Sequence, residues 1–228
     1  MVALSGHRPY PWTLLDFNVI NLLAVFLVLL LSLTVHETAH AWTADRLGDP
    51  TARLLGRISL NPLVNVDPVG TVVLPLVAFS TGAPVIGWAK PVPVDIGSLG
   101  RGRRDFLLVA AAGPASNIAL AVLASWALGI LEAGWLDIGD GGPEPVLHWI
   151  ARLAFQVNLL LAVFNMIPVP PLDGGNVLGG LLPATLSNSF DRLLRPYGFL
   201  ILYALILTGT LGTIIGPPYL FLTWLLRP

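Results

Sequence analysis

A run of apolar residues from Val19 to Val35 ends abruptly in His36-Glu37-Thr38-Ala39-His40. The run is long enough to enter a lipid bilayer, and a helix is the only form in which a lone chain segment can do so with its backbone satisfied. The group that closes it is one that membrane helices normally exclude. Ionisable residues at bilayer depth cost about 2.5–3.5 kcal/mol each on the insertion scale, and they are functional by default.

Composition supports the bilayer as the solvent. Of 228 residues, 55% are hydrophobic and 11% charged. A soluble domain carries about 25% charged residues, so this chain cannot dress a soluble core. Twelve Lys and Arg against 13 Asp and Glu leave a net charge of −1, which argues against a nucleic-acid partner. Cysteine is absent, which removes disulfides, thiol catalysis and thiolate-bound metal.

The chain reads as an all-α polytopic membrane protein and a single domain over 1–228. The expected elements are a His-pair helix at 14–47, a small cytoplasmic β-hairpin at 50–62, a short re-entrant or partial segment at 69–82, an extended loop at 83–104, and helices at 105–132, 146–167 and 197–215. About four of these are full spans. The tail after Gly216 reads as interfacial. A cleaved leader is not expected, because the apolar run leads into His36-Glu37 and not into a small-residue site.

Charge orients the helices. Arg46, Arg53 and Arg57 follow the first span, and Lys90, Arg101, Arg103 and Arg104 precede the next. The following connection holds Glu132, Asp137, Asp140 and Glu144 with no basic residue. The positive-inside rule then places both basic connections in the cytoplasm. That requires segment 69–82 not to cross, and its dozen residues span only about 18 Å as a helix against a hydrocarbon core of about 30 Å.

His36 and His40 are one helical turn apart on one face, able to grip one metal ion, and Glu37 stands about 100° round the helix within reach of a metal-held water. Shuffling a chain with four His and three Glu gives H-E-x-x-H about once in a thousand. Zinc needs a third protein ligand and an open fourth position. His7 lies in the N-terminal tail. His148, Glu132 and Glu144 fall on the outer side. Asp173 follows Pro168, Pro170 and Pro171 and precedes Gly174-Gly175; it reads as a ligand, or as an N-cap for the short helix beyond it. If segment 69–82 does not cross, Asp173 and the His pair share the cytoplasmic end.

H-E-x-x-H closing one span and N-x-x-P-x-x-x-L-D-G, here "NMIPVPPLDG", closing another resemble the site-2 protease family of intramembrane zinc metalloproteases. "GWAKPVPV" (Gly87 to Val94) and "AGPASN" (Ala112 to Asn117) resemble a compact subgroup without PDZ or CBS modules. The similarity runs from about Phe17 to Gly212. It implies Zn2+ as cofactor, His36, His40 and Asp173 as ligands, Glu37 as general base, and a helical bundle with the metal below the membrane surface, reached by water from the cytoplasm. The implied reaction is peptide hydrolysis within or near transmembrane segments. The implied partners are a membrane-protein substrate and the lipid bilayer. A prokaryotic cell membrane is the expected location. The sequence fixes neither the substrate nor the oligomeric state.

Asn165 and Asn117 are further candidates. Either amide could bind a substrate backbone or a developing oxyanion, or serve as glue between helices; Asn158 and Gln156 read as glue. "TARLLGRISL" and "KPVPVD" could each hold an unwound substrate as an added strand. A transporter would favour paired repeats and a polar path through the bilayer, and neither is seen. An inactive scaffold would have lost Glu37 or Asp173, and both are present.

Overall fold

In a computed structural model of the chain, residues 19–73, 77, 89–133 and 144–227 are described. The described residues are helices and loops throughout. The elements are α1 (Val19–Arg46), α2 (Thr51–Leu54), α3 (Arg103–Glu132), α4 (Glu144–Asn165), α5 (Asp173–Leu181), α6 (Ala184–Leu194), α7 (Gly198–Leu207) and α8 (Thr210–Leu226). Three helical stretches are long and apolar enough to cross a membrane: Leu23–Arg46, Arg103–Glu132 and Val146–Asn165. A fourth is gained if the bent pair ending in α7 and α8 counts as one span.

The bundle is built inside out relative to a soluble one. Leu23, Leu27 and Leu31 recur every four residues along α1 and stand about half exposed, while Ser32, Thr34, His36 and His40 are buried. Water would select the opposite arrangement; a bilayer selects this one.

Packing sets the direction of each helix. Ala121, Ala124 and Leu128 of α3 pack on Phe155 and Leu159 of α4, with Tyr219, Leu222 and Leu226 of α8 against them. A second cluster joins Val163 and Ile167 near the end of α4 to Leu172, to Leu202 of α7 and to Ile215 near the start of α8. So α8 runs antiparallel to α4. Ala44 near the end of α1 packs with Val109 near the start of α3, so α1 and α3 are antiparallel too. The C-terminal parts of α1 and α4 and the N-terminal parts of α3 and α8 therefore gather at one end, where α5 also sits.

The expected β-hairpin at 50–62 is a single helical turn. Asp49 explains the difference. Its Oδ1 accepts from Thr51 N at 3.0 Å and Thr51 Oγ1 at 2.5 Å, which starts a helix after Pro50, and Ala52, Arg53 and Leu54 suit one. Gly56 ends the turn at φ +68°, and Arg57 N returns to Ala52 O at 2.8 Å. Residues 57–61 form a loop with a bend at Ile58 and pair with no strand among the described residues.

Asp49 is fully buried, and its Oδ2 also accepts from Asp95 N at 2.7 Å, which pins loop 89–95 to the end of α1. Burial pushes this carboxyl up, but the donors from Thr51 and Asp95 outweigh it and hold its pKa below the usual range. The stability it contributes is present above the ordinary carboxylate pKa and is lost as pH falls through the lowered one. Asp49→Asn turns an acceptor into a donor facing an N–H and should cost about 1–3 kcal/mol, read as a lower unfolding midpoint in detergent. An unchanged midpoint would contradict this account of the loop.

The expected helix at 197–215 is two helices. α7 and α8 meet at Thr208-Gly209, with a bend of 85°. Gly209 takes φ +72°, and Thr208 Oγ1 donates back to Ala204 O at 2.8 Å and lies 2.9 Å from Thr210 Oγ1 across the corner. The tail expected at the interface belongs to α8, with Pro217 and Pro218 inside the helix. Of the segment expected at 69–82, the start lies in a wide helical turn at Pro68–Val73; apart from Val77, the remainder is outside the described residues. So is the expected helix start at 14–18.

Candidate metal centre

α1 carries both histidines on its buried face. Their rings stand edge to face, with centroids 4.6 Å apart, and their Nε2 atoms are 3.0 Å apart. Asp173, in the first turn of α5, places Oδ2 at 3.1 Å from His36 Nε2 and 3.4 Å from His40 Nε2. Asp173 caps nothing: the capping position belongs to Leu172, with no side-chain cap bond. The carboxylate reaches in because the chain before it folds tightly over α5. A Cβ on Gly174 would stand 2.3 Å from Met166 O, and one on Gly198 only 1.8 Å from Pro170 O.

The outer nitrogens of the rings are committed elsewhere. His40 Nδ1 lies 2.7 Å from Val109 O, a carbonyl that can only accept. His36 Nδ1 lies 2.6 Å from Asn117 Oδ1, and a chain of amides fixes which atom does what. Ala154 O accepts from Asn158 Nδ2 at 2.8 Å. Asn158 Oδ1 then faces Asn117 Nδ2 at 2.9 Å, which leaves Asn117 Oδ1 for His36. Both imidazoles therefore donate through Nδ1 and present lone pairs at Nε2.

Two nitrogen lone pairs and a carboxylate oxygen converge, within 4.8 Å of one another. A proton can bridge only two of them, and Asp173 Oδ2 is buried without a hydrogen-bond partner. A cation satisfies all three. The set of two imidazoles and one carboxylate suits zinc. Gly113 completes the fit: a Cβ there would lie 2.4 Å from His40 Nε2 and 2.5 Å from His36 Nε2, so only glycine leaves the convergence point open.

Glu37 sits beside this cluster, half-buried, with Oε2 accepting from Val92 N at 3.2 Å. Val92 lies between Pro91 and Pro93, which have no N–H to offer. Thr38 Oγ1 donates to Ser59 O at 2.7 Å. Two loop stretches, 57–61 and 89–95, are thus held against the turn of α1 that bears Glu37.

Of the two parts open to Asn117, substrate contact or glue between helices, its bonds to His36 and Asn158 fit the second. It is fully buried and its amide is spent on His36 and Asn158. Asn158, taken from sequence as helix glue, is a link in the same chain. The signal was the spacing: Gly113 and Asn117 repeat the four-residue interval of His36 and His40 on the facing helix. Asn165 is the last residue of α4, with Nδ2 turned back to Leu161 O at 3.0 Å. His148 lies near the other end of α4, Glu132 ends α3, and His7 is outside the described residues.

Asn117→Ala frees the His36 ring to rotate and change tautomer. Zinc affinity is expected to fall about 10–100-fold, measured by competition with a chromophoric chelator. Asn158→Leu should weaken it in the same direction by a smaller factor. Wild-type affinity in Asn117→Ala would overturn the amide-chain account.

Comparison with known proteins agrees with this geometry. The family described as Peptidase family M50 matches residues 141–208, the stretch from α4 through Asp173 into α7. "Putative zinc metalloprotease YwhC" of Bacillus subtilis is 34% identical over 212 residues, covering 91% of this chain and 88% of the relative. "Putative zinc metalloprotease Rip2" of Mycolicibacterium smegmatis is 36% identical over 189 residues, 80% of this chain and 66% of its own length. "Putative zinc metalloprotease MJ0611" of Methanocaldococcus jannaschii is 41% identical over 70 residues, 31% of each chain. No solved structure matches. With the similarity to its Bacillus relative spread over nearly the whole length, the chain belongs to peptidase family M50, the site-2 protease family that its two motifs resemble.

Proposed function

We propose that the protein is an intramembrane zinc metalloprotease, hydrolysing peptide bonds within or next to the transmembrane segments of membrane proteins. The observation that carries this is the convergence of His36 Nε2, His40 Nε2 and Asp173 Oδ2 beside Glu37, on a helix whose outer face is leucine.

His36, His40 and Asp173 are the ligands. Zinc held there would supply Lewis-acid polarisation of a peptide carbonyl and would lower the pKa of a water toward neutral. Glu37 is placed to take a proton from the attacking water and to give it to the leaving amine. The N–H of Val92 holds one oxygen of Glu37 and leaves the other for the water. Asn165, at the chain break before Asp173, is suited to hold a substrate carbonyl.

A helical substrate must unwind first, because its own hydrogen bonds shield the peptide group. The loop stretches 57–61 and 89–95 beside Glu37 offer backbone for a chain in that state. The basic residues Arg46, Arg53, Arg57, Lys90, Arg101, Arg103 and Arg104 flank the ends of α1 and α3 that hold the site, which supports an active site open to the cytoplasm. The substrate is a membrane protein, and the setting is a prokaryotic cell membrane.

The test is metal removal from the protein in proteoliposomes with a single-span substrate. A chelator should take cleavage to background, and added zinc should restore it. Cleavage that continues after the metal has been stripped would contradict the reading.

A further inference from the structure

Among the described residues, five buried side-chain atoms have no hydrogen-bond partner: Asp173 Oδ2, Arg57 Nε, Arg57 Nη1, Asn65 Nδ2 and Asn65 Oδ1. The first faces the metal position, and a cation answers it. The other four belong to two residues that nothing in the reaction described above employs.

Arg57 is only 5% exposed and Asn65 only 1%. Both lie against one residue of the loop 89–95, Lys90. Arg57 Nη2 donates to Lys90 O, with Pro91 O at 3.5 Å, and Asn65 O accepts Lys90 N at 2.9 Å. Two residues further on, Val92 N–H reaches Glu37. Among the described residues no carboxylate pairs with Arg57, although other arginines here are paired: Arg53 with Asp45, Arg101 with Asp105, and Arg103 and Arg195 with Asp191.

A guanidinium cannot shed its proton to ease burial, and a buried charge without a counter-charge is strongly unfavourable. The four atoms define what would answer them. Three donors call for acceptors that carry negative charge, and Asn65 Oδ1 calls for one donor. Water lacks the charge. A phosphate ester lacks the N–H. A peptide carboxylate together with the N–H of the residue that bears it supplies all of these.

We propose that Arg57 and Asn65 form a subsite for a peptide carboxylate beside Glu37. The carboxylate comes either from an acidic side chain of the unwound substrate or from the new C-terminus that cleavage creates. The proposal rests on the protease reading: hydrolysis adds water across the peptide bond and yields one carboxylate and one amine, so such a group is generated at the Glu37 site at each turnover.

The test uses the full-length protein in lipid nanodiscs, zinc-loaded and chelated. The probes are N-acetyl-valyl-valyl-leucine, its C-terminal amide, and the amide N-acetyl-valyl-glutamyl-leucinamide. The acid should bind about tenfold tighter than the plain amide, and should do so with the zinc removed, so that the metal is not its partner. Arg57→Met should bring that ratio to about one while zinc content is unchanged. A glutamyl amide that binds like the acid assigns the subsite to acidic side chains. One that binds like the plain amide assigns it to the C-terminus. Asn65→Asp supplies a carboxylate in place, so its unfolding midpoint should rise as the acid preference disappears; this variant carries the test if Arg57→Met does not fold. Equal binding of acid and plain amide to the chelated wild-type protein, meaning ordered water only, would overturn the proposal. So would a preference that survives in Arg57→Met, or a lower midpoint in Asn65→Asp. Because the chelated arm needs no turnover, failure here is distinguishable from failure to cleave.

Discussion

Replacing Glu37 with glutamine is expected to slow cleavage about 10³-fold while the protein keeps its zinc. The substitution is close to isosteric. A glutamine oxygen can still accept from Val92 N, so the contact at 3.2 Å that holds this side chain survives. Neither the His pair nor Asp173 is touched. What disappears is the ability to take a proton from water and return it to the amine. The prediction therefore has two readouts that must separate: kcat falls, and zinc content and thermal midpoint do not. Activity within tenfold of wild type would remove Glu37 from its role as base. A loss of zinc in parallel with activity would make it a structural residue instead.

Gly113→Ala is the second large effect, and it acts through the metal. The added Cβ would lie 2.4 and 2.5 Å from the two Nε2 atoms, well inside contact distance and in the space a cation must share. The strain has no cheap outlet, because Val109 and Asn117 on either side of Gly113 hold the Nδ1 atoms of His40 and His36. Moving α3 away breaks those bonds, and turning the rings moves the lone pairs. Zinc affinity is expected to fall at least about 100-fold, on the scale of losing a supporting contact outright, and cleavage should fall with it. The chelated protein should stay folded, since alanine favours a helix over glycine by about 1 kcal/mol. Zinc titration and the unfolding midpoint of the chelated variant check the two halves. Tight zinc binding in Gly113→Ala would show that the metal does not sit between these rings.

The parts of the site carried by spacing along one helix were legible in the sequence. His36, Glu37 and His40 needed only the helical repeat, and Asp173 needed only a carboxylate at a proline-broken end with glycines after it. The parts that depend on how one helix lies against another were not. Asn117 could be seen as polar and inside a span, but its duty toward His36 depends on the register between α1 and α3 and on Asn158 from α4. Local chemistry defeated two of the expected elements. Asp49 starts a helical turn where a hairpin was expected, because its carboxylate holds Thr51 N and Oγ1 in a tight turn. Gly209 breaks a helix within a continuous apolar run, where hydropathy alone gives no sign of a corner. Arg57 showed in the sequence only as one more basic residue of a loop; its burial is a tertiary fact.

In the proposed reaction the chemistry happens on membrane-embedded peptide, with zinc held by His36, His40 and Asp173. The most direct measurement is mass-spectrometric mapping of the products when zinc-loaded protein in proteoliposomes cuts a single-span substrate with soluble flanks on both sides. The account predicts fragments whose new ends fall inside the apolar segment, toward its cytoplasmic end, and none from Glu37→Gln. Cuts confined to the soluble flanks, or an intact substrate with fully zinc-loaded protein, would contradict it.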